Sequence, residues 1–403
     1  MRRKIYKLIA VSLLILLFAG CNNKPSQNTE TTQGGEISQS GETSQNGETS
    51  QNDETSQSDE TSQSDETSQI EETSQTPEPT QTPEPTFKPI TLGFAGDINF
   101  HDAYRNMQYL NACENGLKDC LSKKLLTRMN KVDYMMLNNE FAFSERGTPI
   151  EGKDYTFRSN PKNVELLKQM GVDIVSLANN HALDYGREAL SDTFKVLDEA
   201  QIDYVGAGEN IDRASDVIVY ENQGKKIGYF ASSRVIYQSD WVATPSRNGM
   251  QSAYDIDYMI DAIKKAKEKC DYLIVYMHWG VEYNNYPEAY QREWAKLYID
   301  AGANAVIGCH PHVVQGFELY NGCPIVYSLG NFWFNSATKD SMYIELTVNE
   351  DNTSTLRVFP TYNDNCRTYI INDKKERKRY IKDLTSFSYD VTIDKKGYVG
   401  YNN

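Results

Sequence analysis

The chain of 403 residues carries 41 basic and 56 acidic side chains, a net charge of −15, with 39% apolar and 24% charged residues. That balance excludes a small peptide module and a nucleic-acid binder, which needs a basic face to displace counterions from phosphates; it leaves room for one large core or two modest ones. A polyanionic partner would have to be reached through a metal. The acidity is uneven along the chain. Residues 1–20 hold Arg2, Arg3, Lys4 and Lys7 and no acid, residues 22–86 hold 14 acids and one lysine, and residues 87–403 stay near −6.

In chain order, the basic start runs into an apolar stretch at 8–19, about half of what a membrane-spanning helix needs, and reads as a secretory signal. Residues 18–21 (FAGC) resemble the lipobox of bacterial lipoproteins, in which small residues admit the signal peptidase and the thiol, here Cys21, receives a diacylglyceryl group; Phe18 stands where Leu is usual. Acyl chains contribute roughly 0.8 kcal/mol per buried methylene, so a lipidated Cys21 would stay in the outer face of a membrane, with the remainder on the extracytoplasmic side. Residues 21–86 continue as an acidic Ser/Thr/Gln/Pro linker with a six-residue period (GETSQN, DETSQS and relatives from Gly41), too poor in apolar groups to offset the entropy of ordering. It reads as a disordered tether, stiffened at its end by Pro77, Pro79, Pro83 and Pro85.

At Phe87 the composition changes, and 87–403 reads as one α/β domain. Short buried strands are expected at 90–96, 132–137, 172–177, 271–277 and 304–307, alternating with amphipathic helices at 161–170, 187–200, 254–269 and 287–301. Further strands without helices between them are expected at 216–220, 225–230, 312–319, 324–328, 342–349 and 354–360, which implies a second sheet packed on the first. The basic stretch from Lys374 to Lys382 reads as a solvated turn or helix. Six cysteines remain after Cys21 in a setting that permits disulfides; Cys113 and Cys120 are close enough in sequence to bridge, and Cys309 is either a buried strand residue or part of a site.

Four of the five histidines follow directly after the expected strands. In open α/β sheets the carboxyl ends of strands form the ligand crevice, so that placement marks a site. The clusters read GDINFHD (96–102), NNEF (138–141), ANNHALDYG (178–186), MHWGVEY (277–283), GCHPHVVQG (308–316) and YSLGNF (327–332). Together they offer Asp97, Glu140, Asn180, His181, His278, His310 and His312. A mixture of carboxylate, imidazole and amide groups suits a borderline divalent ion such as Mn, Zn or Fe and excludes a thiolate-rich structural zinc site. His101 has no matching role and reads as packing.

The order and wording of these clusters, over roughly 90–335, resemble the poly-gamma-glutamate capsule biosynthesis protein CapA family, a branch of the calcineurin-like metallophosphoesterase superfamily. The resemblance implies a sandwich of two mixed β-sheets flanked by helices and a centre of two divalent metal ions (Mn, Fe or Zn). It places Asp97 and His312 on one metal and Asn180, His278 and His310 on the other, with Glu140 bridging. It makes His181 a general acid or substrate-polarising group beside the metals, with Asp184 fixing its tautomer. Two ions about 3.5–4 Å apart would serve hydrolysis of a phosphoester. The first motif reads Asp97-Ile98-Asn99 where the phosphoesterases carry DxH, so Asn99 is a weaker candidate ligand, and the bridging carboxylate is Glu where Asp is usual.

Arg158, in FRSNP, and Asn331, in SLGNF, are candidate substrate contacts, Arg because it holds carboxylate or phosphate bidentately; Trp279 and Trp333 are candidate walls of the pocket. The resemblance implies work on poly-gamma-glutamate or another anionic surface polymer, in its synthesis, export or anchoring, beside capsule synthase membrane proteins. The site could hydrolyse a phosphoester or cleave or transfer an amide bond in the polymer. The alternative is a non-catalytic scaffold that holds polymer or synthase partners.

Overall fold

The computed structural model describes residues 87–402 apart from Ser336 and Thr338; the expected signal, Cys21 and the repeat linker lie outside the described residues. The architecture is α/β, built on two mixed sheets. In the first, the strands lie in the order Arg367–Ile370, Ser354–Asp364, Lys339–Val348, Ile90–Ile98, Tyr134–Asn139, Ile174–Ser176 and Asp203–Val205, and Asn331–Trp333 pairs in parallel with the end of Ile90–Ile98. The four strands from Ile90–Ile98 to Asp203–Val205 are parallel, and the other three run antiparallel to their neighbours. The second sheet has the order Phe317–Tyr320, Cys323–Val326, Ala305–Cys309, Tyr272–His278, Lys225–Ser233 and Ile218–Asn222, with antiparallel strands only at its two edges.

Alternation along the strands decides what each face buries. Leu92, Phe94, Met136, Ile344 and Leu346 from the first sheet meet Tyr229, Ile274, Tyr276 and Ile307 from the second in one continuous inner core, every one fully buried. Burial on that scale stabilises by about 1.5–3 kcal/mol per large apolar side chain. The outer face of the first sheet (Met135, Leu137, Val175) is covered by Lys123–Met129, Val164–Met170 and Gly186–Ala200. The outer face of the second (Leu273, Val275, Met277, Val306) is covered by Ile256–Lys267 and Ala289–Asp300.

The two helices on the second sheet start where side chains can take up free backbone donors. Asp255 accepts from the amides of Asp257 and Tyr258, while Glu288 and Gln291 form a reciprocal capping box. Gly171, at φ 74°, closes Val164–Met170 in the left-handed conformation that glycine adopts without penalty. The expected strand at 312–319 is shortened to Phe317–Tyr320, because His310 and His312 both take positive φ, 97° and 57°, and bend the chain away from the ladder. The helix Arg105–Ala112 and the edge strand Arg367–Ile370 have no counterpart in the expected elements, and the basic stretch belongs to a helix, Lys374–Ser386. The six cysteines of the described residues are free thiols, Cys113 and Cys120 included.

Candidate metal centre

Strand register performs the first step of assembly. Asp97 sits opposite Asn138 on one side and Asn331 on the other, and His278 sits opposite Cys309. The approach of Asn331 is possible because residue 96 is glycine: a Cβ there would lie 1.8 Å from the carbonyl oxygen of Gly330, which instead accepts the amide of Asp97 at 3.1 Å. Glu140 follows Tyr134–Asn139, and Asn179, Asn180 and His181 follow Ile174–Ser176, so both sheets deliver polar side chains to one place.

The buried carboxylates define two overlapping groups of donors. Asp97, Glu140 and His312 each offer an atom within 4.8 Å of the others, and so do Glu140, His278 and His310. Glu140 belongs to both. Asn180 joins the second group, its Oδ1 lying 2.8 Å from His278 Nε2. A third group adds Glu282, which is exposed, to His310 and His312, and a fourth joins Asp97 and His278 to the buried thiol of Cys309.

The fit of this set to divalent ions can be tested on its unpartnered atoms. Glu140 is fully buried, and neither of its oxygens meets a hydrogen-bond donor. Instead the Nε2 atoms of His181, His278 and His312 stand 3.8, 3.9 and 3.9 Å from its Oε1, beyond hydrogen-bonding range. His310 Nδ1 is also buried without a partner. Leaving such groups dry and unpaired is costly, and cations held among them offset that cost. The electrostatics agree. Burial, and then the neighbouring Asp97, push Glu140 well above the usual carboxylate range, while burial pushes His278 and His310 well below the usual imidazole range. The imidazoles are therefore neutral, with lone pairs to offer. The residues present fit divalent cations.

Around the donors lies a shell that fixes their orientation. Asn138 donates to Asp97 Oδ1 at 2.8 Å and accepts from Asn179 Nδ2 at 3.1 Å, while the amide of His310 donates to Asp97 Oδ2 at 3.2 Å. His278 Nδ1 has Cys309 Sγ at 3.2 Å, which leaves Nε2 to face the centre. Asn331 Oδ1 lies 2.7 Å from His312 Nδ1, so this residue orients a histidine. Positive φ at two non-glycine residues costs on the order of 1–3 kcal/mol each, strain that persists at functional sites when the surroundings hold it. Here the Asp97 carboxylate and the bond from Tyr283 N–H to Pro311 O, 2.8 Å, provide that hold.

His181 faces the centre with Nε2, and its Nδ1–H donates to Asp184 Oδ2 at 2.6 Å. Asp184 is buried and also accepts the amide of Phe157 at 2.7 Å, while the Phe157 ring stacks on the imidazole at 4.1 Å. Lys153 donates to Asp184 Oδ1 and to the carbonyl of Asn180, and its Nζ lies 3.2 Å from His181 Nδ1. Burial pushes His181 down to about 4 against the pull of Asp184, so the resting imidazole is neutral.

Other residues singled out in the sequence are placed elsewhere. Asn99 is buried beside the centre, but its Oδ1 accepts the amide of His101 at 2.7 Å and is committed to a turn. His101 Nδ1 lies 2.9 Å from the Arg158 carbonyl. The Arg158 guanidinium donates to the carbonyls of Arg146 and Gly147, at 2.8 and 3.1 Å, and lies over Tyr185, so it pins a loop. Trp279 and Trp333 are fully buried and donate to the carbonyls of Tyr327 and Cys366, as core residues do. Asn138, Asn179, Lys153 and Glu282 were not anticipated. The spacing of Asn138, on the strand Tyr134–Asn139, two residues before Glu140 was a legible signal; Lys153, in a loop 31 residues before Asp184, offered none.

The chain is similar to known proteins. The model of the family "Bacterial capsule synthesis protein PGA_cap" matches residues 91–336. The capsule biosynthesis protein CapA of Bacillus anthracis is 35% identical over 215 residues, 52% of this chain and 52% of that one. The PGA biosynthesis protein CapA of Bacillus subtilis (strain 168) is 33% identical over 241 residues, 59% of this chain and 63% of that one. The chain thus spans between about half and two thirds of the length of these curated relatives. Among solved structures, Haemophilus influenzae NAD nucleotidase superimposes with a TM-score of 0.41 at 12% identity, covering 75% of this chain and 64% of that one. With the family model matching well over half of its length, the chain belongs to the bacterial capsule synthesis protein (PGA_cap) family.

Proposed function

We propose that the protein is a metal-dependent hydrolase in the biosynthesis, export or anchoring of poly-gamma-glutamate or a related anionic surface polymer. In this reading it is held through lipidated Cys21 on the extracytoplasmic face of the membrane. The observation that carries the hydrolase reading is the buried, unpartnered Glu140 carboxylate with three imidazole nitrogens turned towards it. The relatives named for capsule and PGA biosynthesis support the polymer, and the FAGC sequence at 18–21 supports the anchor.

Asp97, Glu140 and His312 would hold one ion, and Glu140, Asn180, His278 and His310 the other. Divalent ions bound there supply Lewis acidity and charge for a phosphoryl or acyl oxygen in the transition state. The protein's own part is orientation and proton handling. Asn138 and the His310 amide hold Asp97, Asn331 turns His312, and Cys309 turns His278. His181, with its Nδ1–H committed to Asp184, presents an unprotonated Nε2 to the reacting group; it would take up a proton there from the attacking water and return it to the leaving oxygen, Asp184 stabilising the imidazolium in between. Lys153 holds Asp184 in place.

A scaffold reading draws on Asn99, whose oxygen is tied to a turn where the phosphoesterases carry a histidine. The two are separated by assaying the metal-loaded protein against phosphoesters and poly-gamma-glutamate beside His181→Ala. Turnover in the parent, reduced at least about 100-fold in the variant with metal content unchanged, supports the hydrolase. Full cellular function of the variant would leave the scaffold.

A further inference from the structure

The helix Lys374–Ser386 carries a charge distribution that the metal centre does not use. Its inner face buries Tyr380 and Leu384, and Tyr380 donates to the Ser341 carbonyl at 2.7 Å. A second face, at the helical spacing i, i+3, i+4, i+7, presents Lys374, Arg377, Lys378 and Ile381. Opposite them the hairpin of Val391–Ile393 and Val399–Tyr401 contributes Ile393 and Lys395, and the six side chains line a groove of about 540 Å³ with an aliphatic floor and a cationic rim.

The acids near this rim form no salt bridge with its lysines or with Arg377. Arg379, on another side of the helix, takes Glu376, Asp383 and Asp340 at 3.1, 2.9 and 2.7 Å. Asp373 caps the helix through the amides of Lys375 and Glu376, and Asp394 accepts the amides of Lys396 and Tyr398. The groove's own guanidinium, Arg377, donates to the Lys395 carbonyl, and the charges of Arg357 and Asp394 act on it with opposite signs. Among the described residues, Lys374, Arg377, Lys378 and Lys395 have no carboxylate partner within salt-bridge distance. In a domain of net charge near −6, a groove lined by four cations without a salt-bridge partner is a local reversal of sign.

We propose that this groove binds an acidic polymer whose carboxylates are spaced along an aliphatic backbone, the charges on the rim and the methylenes on Ile381 and Ile393. It is a docking site separate from the metal centre, and it gives an acidic protein a hold on a polyanion that needs no metal. The inference rests on the polymer named in the proposed function.

The test uses the full chain, with binding of poly-gamma-glutamate measured over a salt series beside two variants. One is Lys374→Gln, Lys378→Gln, Lys395→Gln, which alters only exposed, unpaired side chains; the other is His278→Ala, His310→Ala. The expected result is binding that weakens with salt, falls about tenfold in the lysine variant, as losing three exposed charge pairs implies, and is unchanged in the histidine variant. Equal binding by the parent and the lysine variant overturns the proposal. So does loss of polymer binding in the histidine variant alone, which would put the polymer at the metal centre. If the lysine variant loses binding to phosphatidylglycerol vesicles but keeps the polymer, the groove is a membrane contact and the proposal fails. A parent that ignores the polymer yet hydrolyses a phosphoester ends the proposal and leaves the metal centre standing.

Discussion

The substitution Glu140→Gln should change the stability of the protein with opposite signs in the absence and presence of metal. In the metal-free protein the carboxylate is fully buried, without a donor, and close to a second buried acid, Asp97. A carboxyl raised above its unfolded range destabilises the fold at every pH where the unfolded group is ionised, so removing its charge should stabilise the metal-free protein at neutral pH. The gain is on the order of 1–3 kcal/mol, the cost of leaving one buried polar group unsatisfied. With metal present the balance reverses. An ion at a hundred times its dissociation constant stabilises the native state by about 2.7 kcal/mol, and the variant, lacking the shared ligand, forfeits most of that. Urea unfolding at neutral pH, in chelator and in excess Mn or Zn, reads both arms. A variant destabilised equally in both conditions would refute the reasoning, because Glu140 would then be an ordinary structural acid.

Asn138→Ala should lower stability by about 2–3 kcal/mol with or without metal, since it strips a hydrogen bond from the buried Asp97 carboxylate and another from Asn179; urea unfolding checks this. Cys309→Ala should weaken metal affinity by about 10-fold, with Cys309→Ser retaining most of it, because a hydroxyl can still partner His278 Nδ1; titration against a metal indicator measures both. Asp184→Asn should cut any turnover by about 100-fold or more while metal content holds, since the His181 tautomer is no longer imposed; kinetics beside elemental analysis separate the two effects. Leu346→Ala, in the core between the sheets, should cost about 2–5 kcal/mol in unfolding free energy and leave metal stoichiometry unchanged.

Much of this organisation is legible in the sequence because it depends on local order. Buried parallel strands read as short apolar runs, and each of the runs at 90–96, 132–137, 271–277 and 304–307 ends in the polar group that the fold then uses. The donors Asp97, Glu140, Asn180, His278, His310 and His312 come together because strand register aligns those ends. What was not legible depends on contacts between distant segments. Lys153 lies in a loop with no periodic pattern and acquires its place only when that loop folds over Asp184. Arg158 carries the right chemistry for an anion, but its guanidinium finds the Arg146 and Gly147 carbonyls first. Asn331 lies next to a turn glycine, and only the pairing of its strand with Ile90–Ile98 brings its oxygen to His312. The strand expected across 312–319 was over-long because alternating apolar residues do not reveal backbone strain at His312.

The central claim is that Glu140 joins two groups of buried donors into one two-ion centre. Elemental analysis of the purified full chain, after incubation with Mn, Fe or Zn and removal of free metal, tests it directly, with His278→Ala, His310→Ala alongside. About two equivalents per chain in the parent, falling to one or none in the variant with its circular dichroism unchanged, is the result expected. A folded parent that takes up no metal under any of these conditions would contradict the account.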